Sequence, residues 1–185
     1  MAQTSWPFEN VDTTEVQFSQ WARHINEGIR PDFANELEPF ADDSGLNVKV
    51  KAGQAMVRGH YYASTAEETL TITTPDATNP RIDSVVLELD IVANSILLKV
   101  VAGTPAASPV APTLTQSEDG NVYQFLLGNV AVAAGVFSIE AGDVTDLRTY
   151  MFEGVGKWTT ATRPENPIDF QTIGYNTTLS THEYY

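Results

Sequence analysis

Histidine is the side chain best placed for metal binding or proton transfer near neutral pH, and this chain has three, His24, His60 and His182. They lie far apart, and no pair has the spacing that puts two imidazoles on one face of a helix. His24 falls in an amphipathic stretch and His60 beside two tyrosines, so both are expected to serve structure. Glu88 and Asp90 share one strand face and form a candidate acid/base pair. Charges alternating along the solvent face of a hairpin account for that spacing more simply. The acidic stretches Asp42-Asp43-Ser44-Gly45 and Glu118-Asp119-Gly120-Asn121 offer oxygen ligands for calcium. Neither reaches the ligand count of an EF-hand loop, so ordinary turns are expected. Asn176-Thr177-Thr178 fits the glycosylation pattern, but with no secretory signal in view it reads as a turn. No GxSxG elbow and no glycine-rich phosphate cradle is present. With no cysteine, disulfides, thiolate zinc sites and thiol nucleophiles are out of reach. The residues point to no enzyme, no metal site and no cofactor.

Composition narrows the partners. The 185 residues, 42% hydrophobic and 18% charged, suit one domain of ordinary size with a small appendage. A net charge of −14 argues against nucleic acid, whose phosphates need clustered lysine and arginine. Residues 1–43 hold nine acids against Arg23 and Arg30, which makes a solvated face or a dock for a basic partner. No run of 18 apolar residues occurs, so no membrane insertion is expected. The start, "MAQTSWPFENVD", shows neither a basic n-region nor an apolar h-region.

The elements follow from periodicity. Asp12 or Thr13 can cap a helix, with Glu15 completing a box-like start. Phe18, Trp21, Ala22, Ile25 and Ile29 then form one apolar stripe, which predicts a helix over 13–28 that buries it either on the sandwich or against another subunit. Pro31 stops it. From Gly45 the period changes to two. Leu46, Val48 and Val50 alternate with polar residues, Ala52-Gly53 makes a turn, and the run from Ala55 to Tyr62 reads as one strand with Gly59 a bulge. "EETLTITTP" adds a strand. "RIDSVVLELDI" and "SILLKVVAG", joined by Val92-Ala93-Asn94-Ser95, make the strongest hairpin. "TPAASPVAPTL" carries three prolines and must cross extended, outside any central pairing. "NVYQFLLGNVAV" is a strand bent near Gly128, and "AGDVTDLRTYM" a helical turn capped by Asp143. About seven short strands after one helix indicate a mainly β fold, a sandwich or barrel-like domain with an N-terminal amphipathic helix. The predicted organisation is an arm and helix (1–44), a β-sandwich (45–152), and a linker with a short oligomerising hairpin (153–185). Arg81 and Arg148, each two residues from an aspartate (Asp83 and Asp146), are expected to brace chain crossings.

The stretches "WPFENVDTTEVQFSQWARHINEGIRP", "GLNVKVKAGQAMVRGHYY", "NPRIDSVVLELDIVANSILLKVVAGTPAASPVAPTL" and "AGDVTDLRTYM" resemble the N-terminal region of minor tail, baseplate and tail-fibre structural proteins of tailed bacteriophages. The resemblance runs from about Ser5 to Met151, and Arg81-Ile82-Asp83 leading into Gly103-Thr104-Pro105 is its most specific piece. The ending "RPENPIDFQTIGYNT…EYY" looks like a linker hairpin of phage fibre proteins, in which such a strand runs on to a tryptophan that is missing here, so a chain continuing past Tyr185 is expected. What the resemblance implies is a virion structural protein, made in the host cytoplasm, that attaches distal receptor-binding parts to the tail tip or baseplate. A homotrimer contacting other tail proteins is expected. The expected contact residues are Trp6, Phe8, Trp21, Ile25 and Ile29 toward the tail, with Trp158, Tyr175 and Tyr184 in the distal segment. The aromatic-rich end also supports an alternative, a carbohydrate-binding module that recognises a host surface glycan.

Overall fold

The computed structural model describes residues 12–24, 27–30, 36–117 and 120–151, together with the backbone of three later strands. The chain divides into two compact units, 1–150 and 151–185.

The first unit is mainly β. Its three antiparallel sheets have the orders β1-β4-β5, β2-β3-β6 and β10-β9-β7-β8. The strands are β1 (Gly28–Ile29), β2 (Pro39–Phe40), β3 (Asn47–Val50), β4 (Gly53–Val57), β5 (His60–Ser64), β6 (Glu68–Thr71), β7 (Arg81–Asp90), β8 (Ser95–Val101), β9 (Val122–Val132) and β10 (Val144–Asp146). The sheets are open, so of the two expected architectures the closed barrel is set aside. In the four-stranded sheet, period two puts Val85, Leu87 and Leu89 of β7 on the same face as Phe125, Leu127 and Val130 of β9. All six are buried, in one cluster with Val48 and Val50 of β3 and with Ala55 and Val57 of β4. Every sheet therefore contributes to a single core. β2 lies against β10 and β6 against β8, so the β2-β3-β6 sheet covers the inner face of the larger one.

The hairpin β7–β8 forms as the alternation predicts, and Asp90 Oδ1 accepts from the Val92 and Ala93 amides in its turn. β9 carries a register shift against β7 between Val85 and Val86, where Gly128 sits. A side chain at Gly128 would collide with the Thr145 carbonyl oxygen at 2.6 Å and with Pro39 Cγ at 2.8 Å. The glycine therefore lets β10 and β2 close over the bend. The proline segment is tied at one end by Gly103 N–H to Asp83 and Ala106 N–H to the Pro80 carbonyl, and at the other by Thr115 N–H to Gln124. Val86, on the face of β7 opposite Val85 and Leu87, is fully buried as well.

Four expectations change. The helix, α1, spans Glu15–Ala22, and Thr14 caps it in a capping box with Gln17. Its buried residues are Ser19 and Ala22; Phe18 and Trp21 are 57% and 53% exposed, so the predicted stripe does not face the core. Ile29 belongs to β1 instead, paired with Ala55 and fully buried. Second, the run 55–62 is two strands joined at Arg58-Gly59, both at positive φ, which fits the mirror-image turn preferred by two-residue hairpins. Ala52-Gly53 does not close a hairpin, because β3 and β4 enter different sheets. Third, residues 141–143 form a 3-10 turn in which Asp143 accepts from the Glu140 amide, and the chain continues as β10. β1 and β2, placed on sequence in a separate arm, are sheet members of the first unit.

The second unit holds a three-stranded sheet, β11 (Gly156–Trp158), β12 (Ile173–Asn176) and β13 (Thr181–Tyr184). β12 and β13 are the antiparallel pair expected at the end of the chain; β11, expected as linker, runs parallel to β12.

Candidate functional site

Helix α1 is seated by small residues. Gly59 has φ +77°, and a side chain there would meet the Ser19 carbonyl oxygen at 2.5 Å and Ala22 Cβ at 3.0 Å. The helix backbone thus lies directly on the Arg58-Gly59 turn. Ser19 Oγ donates to the Arg58 carbonyl at 2.8 Å, and Arg23 Nε donates to the same oxygen. Glu27 Oε2 accepts from the Arg58 amide and its Oε1 from the Tyr123 hydroxyl, joining this turn to β9. The Arg58 guanidinium lies 4.9 Å from the centre of the Tyr123 ring.

Docking through Ser19 and Ala22 leaves the larger residues outside. Val16, Phe18 and Trp21 are each more than half exposed, and the Phe18 and Trp21 rings stand 5.9 Å apart at a 44° tilt. Beside Phe18 opens a groove of about 610 Å³, walled by β5 on one side and by the end of β7 and start of β8 on the other. Tyr61 and Leu97 on its walls are 62% and 53% exposed. His60 Nε2 lies 3.4 Å from Glu15 Oε1 at one end, while its Nδ1 is 3.2 Å from the Arg58 carbonyl.

The candidate chemistry is taken up by structure. Glu88 accepts from Lys99 and from Gln124 Nε2, and Asp90 caps the β7–β8 turn, so the pair lacks the free geometry of an acid and base. Burial pushes the Glu88 carboxyl up, but the hydrogen bonds from Lys99 and Gln124 outweigh it and its pKa is lowered. Asp42 bonds Lys49 at 2.7 Å and accepts from Ser44, which brings its pKa down to about 2. Among the described residues no cluster of three His, Asp or Glu is arranged to hold a metal, and no helix is long and apolar enough to cross a membrane.

The two expected braces are present. Arg81 Nε and Nη2 grip both oxygens of Asp83, at 2.8 and 3.1 Å, in the sheet interior. Nη1 and Nη2 also reach the Thr74 and Thr73 carbonyls, so the guanidinium fixes the loop that leads into β7. Asp83 Oδ1 then accepts from the Gly103 amide, holding the exit from β8. Arg148 repeats the design with Asp146, at 2.9 and 2.7 Å, and donates to the Glu36 carbonyl.

Of the sequence-predicted contact residues, Trp21 is on the surface and Ile29 is in the core, so Ile29 is withdrawn from the contact face. Trp6, Phe8 and Ile25 lie outside the described residues, as do the side chains of Trp158, Tyr175 and Tyr184. Sequence reasoning missed Phe18 and Tyr61 as surface rings. The available signal was small residues at Ser19 and Ala22, three apart, opposite an Arg-Gly turn. Compared with protein families, curated proteins and solved structures, the chain matches none.

Proposed function

We propose that the chain is a virion structural protein, an attachment module of a phage tail appendage, and that the outer face of α1 is its contact with the tail. One observation carries the reading: an eight-residue helix is anchored by Ser19 and Ala22 and presents Phe18 and Trp21 to solvent. Burying such rings in water-free contact contributes roughly 1.5–3 kcal/mol each, so their display favours a partner that covers them. Paired aromatics at the centre of a contact are the usual carriers of binding energy. The resemblance of residues 5–151 to phage tail proteins supplies the kind of partner, a tail-tip or baseplate protein. The assembly is a homotrimer that connects the tail to distal receptor-binding parts.

The test has two arms. Light scattering of the purified chain should give three times the chain mass of 20.2 kDa. Immunogold labelling with an antibody to the chain should decorate the tail end of purified phage particles. A chain absent from the particles overturns the reading.

A further inference from the structure

We propose that the outer edge of β5 is a docking slot for an extended, basic segment of another protein, which pairs as a fourth strand beside β1-β4-β5. The groove beside this edge shares Phe18 with the tail contact, but Trp21 is not among its lining residues, so the backbone pairing at β5 and the role of Trp21 are tested apart.

The register of the β4–β5 hairpin fixes which groups are left over. A two-residue turn makes Val57 and His60 a hydrogen-bonded pair, and alternation then bonds Tyr62 to Ala55 and Ser64 to Gly53. Tyr61 and Ala63 therefore aim their N–H and C=O away from β4. Among the described residues no backbone hydrogen bond reaches them. Both residues are exposed.

Sheet edges are normally blunted by shortness, charge, proline or a covering segment. The other edges of this unit follow that rule. β1 is covered by the chain at Thr149 and Tyr150; β2 is two residues containing Pro39; β6 carries Glu68; β8 carries Lys99; β10 is three residues ending in Asp146. β5, His-Tyr-Tyr-Ala-Ser, has no proline, lysine or carboxylate over five residues. Tyr61 and Ala63 are among the residues lining the groove of about 610 Å³, a volume within the usual range for a ligand site.

The chemistry left open is a backbone row, which an extended polypeptide satisfies and a sugar does not. Charge selects the kind of polypeptide. Glu15 and Asp90 border the groove and the chain carries −14, so a second copy would bring the same carboxylates against themselves. A basic strand is attracted instead.

The probe is a short synthetic peptide of alternating valine and threonine flanked by lysines, added to the full chain and followed by calorimetry and amide hydrogen exchange. In the free protein the Tyr61 and Ala63 amides should exchange far faster than those of Tyr62 and Ser64, and the peptide should slow them by about tenfold or more, the equivalent of one to two net backbone hydrogen bonds. The same peptide N-methylated at alternate residues should bind at least about tenfold more weakly, and a glutamate-flanked version more weakly still at low salt. Ala63→Pro removes one outward N–H and should abolish the protection; should that variant fail to fold, the methylated peptide decides. The proposal is overturned if Tyr61 and Ala63 are already protected in the free chain, if the lysine-flanked peptide gives no protection, or if methylation leaves binding unchanged. It is equally overturned if protection comes from protein concentration alone, or from a neutral oligosaccharide in place of the peptide.

Discussion

The loops around β7 and β10 and the surface of α1 and β5 use their less common residues in opposite ways. In the first region two of the few arginines are enclosed: Arg81 and Asp83 are 4% and 0% exposed, and the Arg148 side chain is 5% exposed. The Arg81 guanidinium ties β7 to the Thr73 and Thr74 carbonyls of the loop before it, and the Arg148 guanidinium ties the residues after β10 to the Glu36 carbonyl. In the second region three aromatic rings, Phe18, Trp21 and Tyr61, are left more than half exposed. Cations in this acidic chain hold backbone crossings together, and rings are displayed. Stability should therefore depend on the first region and recognition on the second.

The largest loss is expected at the buried brace. Arg81→Met leaves the Asp83 carboxylate buried with the Gly103 amide as its remaining partner among the described residues, and should cost about 3–5 kcal/mol in urea unfolding. Arg148→Met sharpens the comparison, because the Asp146 side chain is 44% exposed and water can replace its partner. A loss of about 1–2 kcal/mol is expected, mainly from the bond to the Glu36 carbonyl. If the two substitutions cost the same, burial is not what separates the braces.

Acid gives a smaller and signed effect. The Arg148 hydrogen bonds hold the Asp146 carboxyl below its ordinary value, and the Asn79 and Thr78 amides do the same for Asp76. A depressed carboxyl contributes stability that is fully present above its unfolded pKa, about 3.9, and is lost as pH falls through the folded value. The urea midpoint should thus be flat from about pH 7 to 5 and fall below about pH 4. Asp146→Asn should lower the neutral midpoint and shallow the acid decline. An unchanged decline would remove Asp146 from the acid response.

The strands were readable because their period is two and one face is buried, as Val85, Leu87 and Leu89 show. The brace at Arg81 was readable because an arginine two residues from an aspartate on one strand shares its face. The helix was misread for a physical reason. Periodicity finds an apolar stripe but does not say what covers it, and α1 meets a glycine turn whose close approach admits only Ser19 and Ala22. Ile29 kept the helical spacing while lying in β1, since a two-residue strand leaves no periodic trace. The open edge of β5 was hidden for a related reason: the Arg58-Gly59 turn, read as a bulge, is what defines β5.

The smallest effect on stability, and the most telling, belongs to the displayed rings. Trp21→Ala in the full chain should shift the unfolding free energy by less than about 0.5 kcal/mol, since an exposed side chain has little burial to lose. The deciding measurement is the incorporation of that variant into phage particles, quantified by mass spectrometry beside its urea midpoint. The account predicts an unchanged midpoint with incorporation reduced at least tenfold, about 1.4 kcal/mol of lost contact. Full incorporation of a chain whose midpoint has fallen would contradict it, because Trp21 would then serve the fold and not the tail.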